Sequence, residues 1–382
     1  MEPKLSPPLA HEHLKDILSN EEFVDILTTF PKERGIISSY SYQYQGFWHN
    51  PVHLHGIINF QKHYEPREND IFLATAPKSG TTWLRAILYA LINRKTYPPN
   101  DPNHPLLSKN SHSLIPPFEL LKPSEYDSVC NSSDPSTRIF GTHCAFGSLP
   151  ESITDIAKSS NRKIIYLCRD IKDTFISNFH FANKANLRPS PISLEDAFDL
   201  YCKGISAGGP IWNHILGYWK ESLEKPDKVL FMRYEEMKSE PHFQLRRLAH
   251  FLGKPFSQEE ENLCLVDQII SLCSFDVMSK LEVNKTGKGK QLISTGALFR
   301  KVVAASPGSA NNGNGAPTIA PPNANPIREG MAVARQVIDH GPLGQQQRLQ
   351  RSDTRSRFTV AAVRLTSYFY CFPSLKEVSE RE

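Results

Sequence analysis

Long apolar runs are missing from this 382-residue chain, and none could span a bilayer. The N-terminus mixes acidic and basic residues and does not form a basic targeting helix, so a cytoplasmic protein without membrane contact is expected. Cysteine pairing signals are absent too. The seven cysteines (Cys130, Cys144, Cys168, Cys202, Cys264, Cys273, Cys371) contain no C-x-x-C pair and no zinc-like spacing with histidine. An odd count without a secretory leader predicts reduced thiols, and no metal is expected. His11 and His13 read as surface residues. The net charge of +4 is too slight for the length to point to nucleic acid, although it would help draw in a polyanionic ligand.

What the chain does have is Ala76-Pro77-Lys78-Ser79-Gly80-Thr81-Thr82-Trp83, placed after the apolar run Ile71–Ala74 and before an amphipathic stretch. That order predicts strand, loop and helix. Loop amides, the first free N–H groups of the helix and the positive end of its dipole then converge on one spot, which favours an anion. Lys78 adds a mobile cation, and Thr81 and Thr82 add hydroxyls. The ATP/GTP loop G-x-x-x-x-G-K-[ST] is excluded, because Lys78 precedes Gly80 here. Trp83 at the loop exit offers an indole face to a purine. An ordinary strand-to-helix turn with a surface lysine is the bland alternative.

Three further apolar runs end in polar residues. Arg138–Thr142 leads to His143, Lys163–Cys168 leads to Arg169-Asp170, and Lys228–Arg233 leads to Tyr234-Glu235-Glu236. Short continuous apolar runs separated by helical stretches predict buried parallel strands, hence a single α/β domain with a central parallel β-sheet flanked by helices. Ligands of such sheets bind beyond the carboxyl ends of the strands. Lys78, His143, Arg169 and Tyr234 all fall there.

With these motifs in place, the chain resembles the cytosolic sulfotransferases, which move a sulfuryl group from 3'-phosphoadenosine 5'-phosphosulfate (PAPS) to small hydroxyl acceptors. Pro77–Trp83 matches the family's 5'-phosphosulfate loop. Tyr166–Asp170 through Ser177-Asn178 matches its 3'-phosphate segment, and Thr142-His143 its catalytic histidine. Tyr44–Trp48 and Asn284–Lys288 look most like the plant branch. The likeness runs from about residue 20 to about residue 301. It implies Lys78, Ser79, Gly80, Thr81, Thr82 and Trp83 around the 5'-phosphosulfate and adenine. It also implies Arg169 and Ser177 at the 3'-phosphate, Tyr234 and Phe275 beside the adenine, and His143 as the base for the acceptor hydroxyl. For His143 the alternative is a structural histidine, for Arg169 a salt bridge to Asp170 or Asp173, and for Trp83 and Tyr234 plain core packing. Plant relatives sulfate flavonoids, hydroxylated jasmonates, brassinosteroids and glucosinolate precursors, so a small phenolic, steroidal or jasmonate-like acceptor is implied.

Residues 1–60 are expected to form a helical and aromatic segment, with a helix from Leu14 to Phe30; the resemblance implies that Tyr40–Trp48 walls the acceptor pocket, the alternative being an ordinary hydrophobic tie to the core. Residues 61–301 form the main domain, in which the Pro- and His-rich Tyr97–Pro123 stretch would cover the acceptor. Residues 302–382 depart from the family. Phe299-Arg300-Lys301 matches the start of its F-R-K-G signature, where Arg300 and Lys301 would grip the 3'-phosphate, but Val302 stands where glycine is expected. A low-complexity Ala, Asn, Gly and Pro stretch follows, which predicts disorder. Loss of the family's closing segment puts its usual homodimer contact in question and opens the alternative of a catalytically impaired PAPS-binding relative. A nucleotide kinase is disfavoured by the position of Lys78.

Overall fold

The computed structural model describes residues 9–129, 137–154, 161–184 and 188–285. The chain divides into two units, Met1–Arg300 and Lys301–Glu382, and every described residue lies in the first. Arg300, Lys301, Val302 and the 302–382 segment lie outside the described residues.

The N-terminal helix is not continuous. Helix α1 (Leu9–Leu18) ends before α2 (Glu21–Thr28), because the Asn20 side chain accepts a hydrogen bond from the Phe23 amide and starts a new helix. The aromatic segment forms a three-stranded antiparallel sheet, with β1 (Lys32–Arg34), β2 (Tyr40–Tyr44) and β3 (Phe47–His49) in that order. Its β2–β3 hairpin turns on Gln45 and Gly46 at φ 50 and 83 degrees, the double left-handed pair that suits a two-residue turn between twisted strands. Helix α3 (Pro51–His63) follows, capped by Asn50 and opened by a proline that lacks the N–H the first turn would leave unpaired.

The central sheet consists of β4 (Ile71–Thr75), β5 (Ile139–Thr142), β6 (Lys163–Cys168) and β7 (Val229–Arg233), ordered β5-β4-β6-β7 and parallel throughout. Every residue of β4 and β5 is buried, as expected for strands covered on both faces. Alternate residues serve alternate faces. Ile71 and Leu73 join the aliphatic core with α4 (Thr81–Asn93), while Phe72 stacks on Phe140 at 5.6 Å beside the stacked pair Phe60 and Phe118 at 3.9 Å. From β4 the chain leaves to one side for β5, and from β6 to the other for β7. The carboxyl ends of β4 and β6 therefore border the crevice where loops diverge.

At the opposite end, a buried ion pair fixes β4 against β5. Arg138 donates from Nε and Nη2 to the two Asp70 carboxylate oxygens at 2.9 and 2.6 Å, and Asp70 also accepts from the Tyr64 hydroxyl and the Arg67 amide. Both charges are at most 1% exposed. Removing one partner strands the other in the interior. Arg138→Met is expected to lower the unfolding free energy by about 3–5 kcal/mol in a denaturant titration. A loss under about 1 kcal/mol, the range of surface pairs, would show that the clamp does not hold the sheet.

Candidate active site

The β4–α4 connection is wound for close approach. Lys78 and Gly80 adopt left-handed backbone at φ 70 and 101 degrees, and a side chain at position 80 would come within 2.7 Å of the Tyr234 ring. Gly80 is the N-cap of α4, and no side chain caps the helix, so its first amides face the loop with no protein acceptor from that position. Ser79 and Thr81 are buried. The Thr81 hydroxyl is engaged with the Thr75 hydroxyl at 2.7 Å, which reduces its freedom as a donor to an anion. Lys78 Nζ lies 4.4 Å from the centre of the Phe181 ring.

His143 follows β5 and bends back to β4. Its Nδ1 lies 2.8 Å from the Thr75 carbonyl oxygen, which can only accept, so Nδ1 carries the proton and Nε2 the lone pair. Its backbone amide donates to Glu119 Oε1 at 2.5 Å, and the Thr142 hydroxyl donates to the same oxygen at 2.7 Å. Glu119 sits in the short 3-10 turn Phe118–Leu120, close against α3 because Gly56 has no side chain to collide with the Glu119 backbone. His214 Nε2–H donates to the His143 carbonyl at 3.1 Å and receives the Tyr166 hydroxyl on Nδ1 at 2.9 Å. Burial first, and the Arg85 guanidinium second, lower the His143 pKa to about 3. Cys144 and Ala145, which follow it, are wholly buried.

On the β6 side, Arg169 is nearly buried, donates to Asp173 at 2.9 Å and lies 4.7 Å from the Tyr234 ring centre. Its Nε has no hydrogen-bond partner. Both readings of this residue thus meet in one side chain, with an ion pair made and a buried donor left over. Ser177 is buried in the Ile171–Lys184 helix, and the neighbouring Asn178 donates to the Pro77 carbonyl at 3.4 Å, tying that helix to the loop. Trp83 meets Tyr234 edge-on at 5.6 Å. Phe275 is 40% exposed, next to Cys273 in the core on which Trp83 and Tyr234 pack. The structure thus gathers Lys78, Gly80, Trp83, Arg169, Tyr234 and His143 around the ends of four adjacent strands.

The Tyr97–Pro123 stretch carries two short helices, α5 (Pro105–Ser108) and α6 (Ser111–Leu114), anchored by buried Leu106, Leu114, Ile115 and Phe118. Ser111 donates to the Thr82 carbonyl at 3.1 Å, and Asn110 donates to Asn284 at 2.7 Å while its oxygen accepts from the His112 amide. His112 feels Arg85, His143 and Lys78 together, so this stretch faces the loop. Thr75, Arg85, His112 and Glu119 were not singled out from sequence. Only Arg85 carried a signal there, as the lone charge in an otherwise apolar helix.

A family model described as "Sulfotransferase domain" matches residues 68–306. The chain belongs to the sulfotransferase family. Cytosolic sulfotransferase 15 of Arabidopsis thaliana is 46% identical over 283 residues, covering 73% of this chain and 78% of that one. Cytosolic sulfotransferase 5 of the same plant is 43% identical over 286 residues, covering 74% and 87%. Among solved structures, an A. thaliana candidate steroid sulphotransferase is similar at TM-score 0.57 and 41% identity, covering 70% of this chain and 88% of that chain. Mouse sulfotransferase SULT7A1 complexed with PAP shares the fold, at TM-score 0.52 and 24% identity over 69% of this chain and 86% of that one. This sulfotransferase is thus of the plant cytosolic type. No helix among its described residues is long and apolar enough to cross a membrane.

The histidines around the site make it acid-sensitive. Burial lowers His49 to about 3 and His214 to about 4, against an ordinary 6.5 in the unfolded chain. Their contribution to stability is complete above 6.5 and drains as pH falls toward those lower values, by about 1.4 kcal/mol per pH unit for each histidine. The melting temperature is therefore expected to fall from about pH 6.5 to about pH 5. A melting temperature unchanged over that interval contradicts neutral, buried histidines.

Proposed function

We propose that this chain transfers a sulfuryl group from PAPS to a hydroxyl of a small acceptor, with His143 as the base. The observation that carries this reading is the His143 Nδ1–H bond to the carbonyl of Thr75, the last residue of β4, which leaves the lone pair on Nε2. The residues present fit the donor. A left-handed loop, uncapped α4 amides and Lys78 suit its 5' end, and the spare Nε of Arg169 with Ser177 suits its 3'-phosphate. Tyr234 and Trp83 offer ring surfaces for a purine. The donor supplies an activated sulfuryl group, whose transfer to a hydroxyl oxygen releases 3'-phosphoadenosine 5'-phosphate (PAP).

His143 takes the acceptor's proton at Nε2 as that oxygen becomes nucleophilic, and the Thr75 carbonyl steadies the resulting imidazolium through Nδ1–H. Glu119, which accepts from the His143 amide and the Thr142 hydroxyl, holds the backbone at the base. Lys78 neutralises charge gathering on the departing oxygen. Buried Cys144 is no rival nucleophile, because desolvation and the Glu119 charge push its thiol well above the ordinary range.

The acceptor class is a flat phenolic, steroidal or jasmonate-like alcohol. Phe47 on β3 supports this, lying 6.5 Å from His214, and so does likeness to a candidate steroid sulphotransferase. The relatives named cytosolic support a cytoplasmic enzyme. A second reading, a PAPS-binding relative with impaired turnover, is favoured by Val302 where the family signature has glycine.

His143→Ala tests the assignment. PAP affinity measured by calorimetry is expected to stay within about twofold, while turnover falls by about two to four orders of magnitude. Retained turnover would remove His143 as the base.

A further inference from the structure

Among the described residues, Arg85, Arg94 and Arg138 carry buried guanidinium groups on or near the central sheet, and two of these are saturated. Arg138 bonds Asp70, Asp127 and backbone carbonyls through all three nitrogens. Arg94 does the same with Glu260 and the carbonyls of Leu91, Lys254 and Pro255. Arg85, at the fifth position of α4, is equally inaccessible at 0% exposure, yet Nε, Nη1 and Nη2 all lack a hydrogen-bond partner. A buried cation with no donor satisfied is costly unless something completes it. Burial lowers its pKa to about 10, which still leaves it cationic at neutral pH.

Its surroundings say what that something is. The guanidinium occupies the space where a side chain at Gly141 would project, and such a side chain would collide with it. Gly141 is the penultimate residue of β5, two residues before His143, so Arg85 lies at the carboxyl end of that strand. Its charge acts on both His143 and His112, and His112 also feels Lys78. Two cations of one loop–helix unit, Arg85 and Lys78, therefore both act on His112. The one carboxylate close by, Glu119, spends Oε1 on Thr142 and His143, and its Oε2 makes no bond to Arg85.

We propose that Arg85 binds the non-bridging oxygens of the transferring sulfuryl group, opposite Lys78 and on the His143 side. This rests on the sulfotransferase reading above. A planar fork of N–H donors matches a tetrahedral oxyanion, and desolvated donors already in place strengthen as charge spreads over those oxygens. Gly141 is then required, because any larger residue would displace the guanidinium.

The test compares two ligands that differ only in the sulfuryl group. Calorimetry of Arg85→Met with PAPS and with PAP is expected to show PAPS weakened by about tenfold or more while PAP moves by less than about twofold. Arg85→Lys, which keeps the charge but not the fork, is expected to recover part of the PAPS loss. Equal weakening of both nucleotides, or no change in either, would make Arg85 a buried countercharge for Glu119 and overturn the proposal. If Arg85→Met does not fold, the double variant Arg85→Met/Glu119→Gln removes both buried charges and is read by the same PAPS-to-PAP ratio. Wild-type protein that binds neither nucleotide contradicts the underlying sulfotransferase reading. Wild-type protein that binds both, with an unchanged ratio in the variants, contradicts the Arg85 assignment alone.

Discussion

The hydrogen bond between His143 Nδ1 and the Thr75 carbonyl joins the two halves of the site. Thr75 is the last residue of β4, so its carbonyl sits where the strand ladder stops and the loop begins. Its hydroxyl meets both Thr81, at the start of α4, and the same histidine nitrogen, at 3.2 Å. One residue thus sets the tautomer of His143, the base in the proposed reading, and links it to the start of α4. A shift of β4 relative to β5 by one residue would break that link, because the strand alternation would turn His143 to the other face. In the proposed mechanism register thus matters to catalysis, and the Asp70–Arg138 clamp ties the far ends of the same strands.

Buried charge is treated differently at the two ends of the β4–β5 pair. At the amino ends Arg138 donates two hydrogen bonds to Asp70 and others to backbone carbonyls. At the carboxyl ends it is left incomplete, with spare groups on Arg85, Arg169, Asn178 and Glu119. Satisfied networks rigidify, whereas unsatisfied ones are costly and mark places where a ligand completes the set. Burial keeps His49 and His214 neutral near His143, while the Glu119 carboxylate partly opposes the lowering at His53. His53, 6.5 Å from His143, and His214 each lower its basicity, and an anion beside Lys78 would work in the opposite direction.

Much of this was legible in the sequence, for a physical reason. Parallel strands covered on both faces must be apolar throughout, so β4 to β7 appear as short unbroken runs, and the residue after each run marks the reactive edge. That is how Lys78, His143, Arg169 and Tyr234 stood out. The loop was equally plain, since only glycine meets both the left-handed φ at position 80 and the approach of Tyr234. Glu119 was not legible, because its role depends on a turn brought across from a Pro-rich stretch and on Gly56 making room. Thr75 was hidden for a different reason, since it acts through a carbonyl that any residue possesses. The split between α1 and α2 was missed because the capping strength of Asn20 outweighed the helical period around it. Thr81 looked like a free hydroxyl donor until Thr75 was seen opposite it.

The account's central claim is sulfuryl transfer at the carboxyl ends of β4 and β5, and the most direct measurement is PAP release from PAPS by the full chain with a panel of small phenolic, steroidal and jasmonate-like alcohols. The account predicts acceptor-dependent PAP formation matched by an equal amount of sulfated product, without added metal. PAPS bound but never consumed, or Mg²⁺-dependent phosphate transfer from ATP in its place, would contradict it.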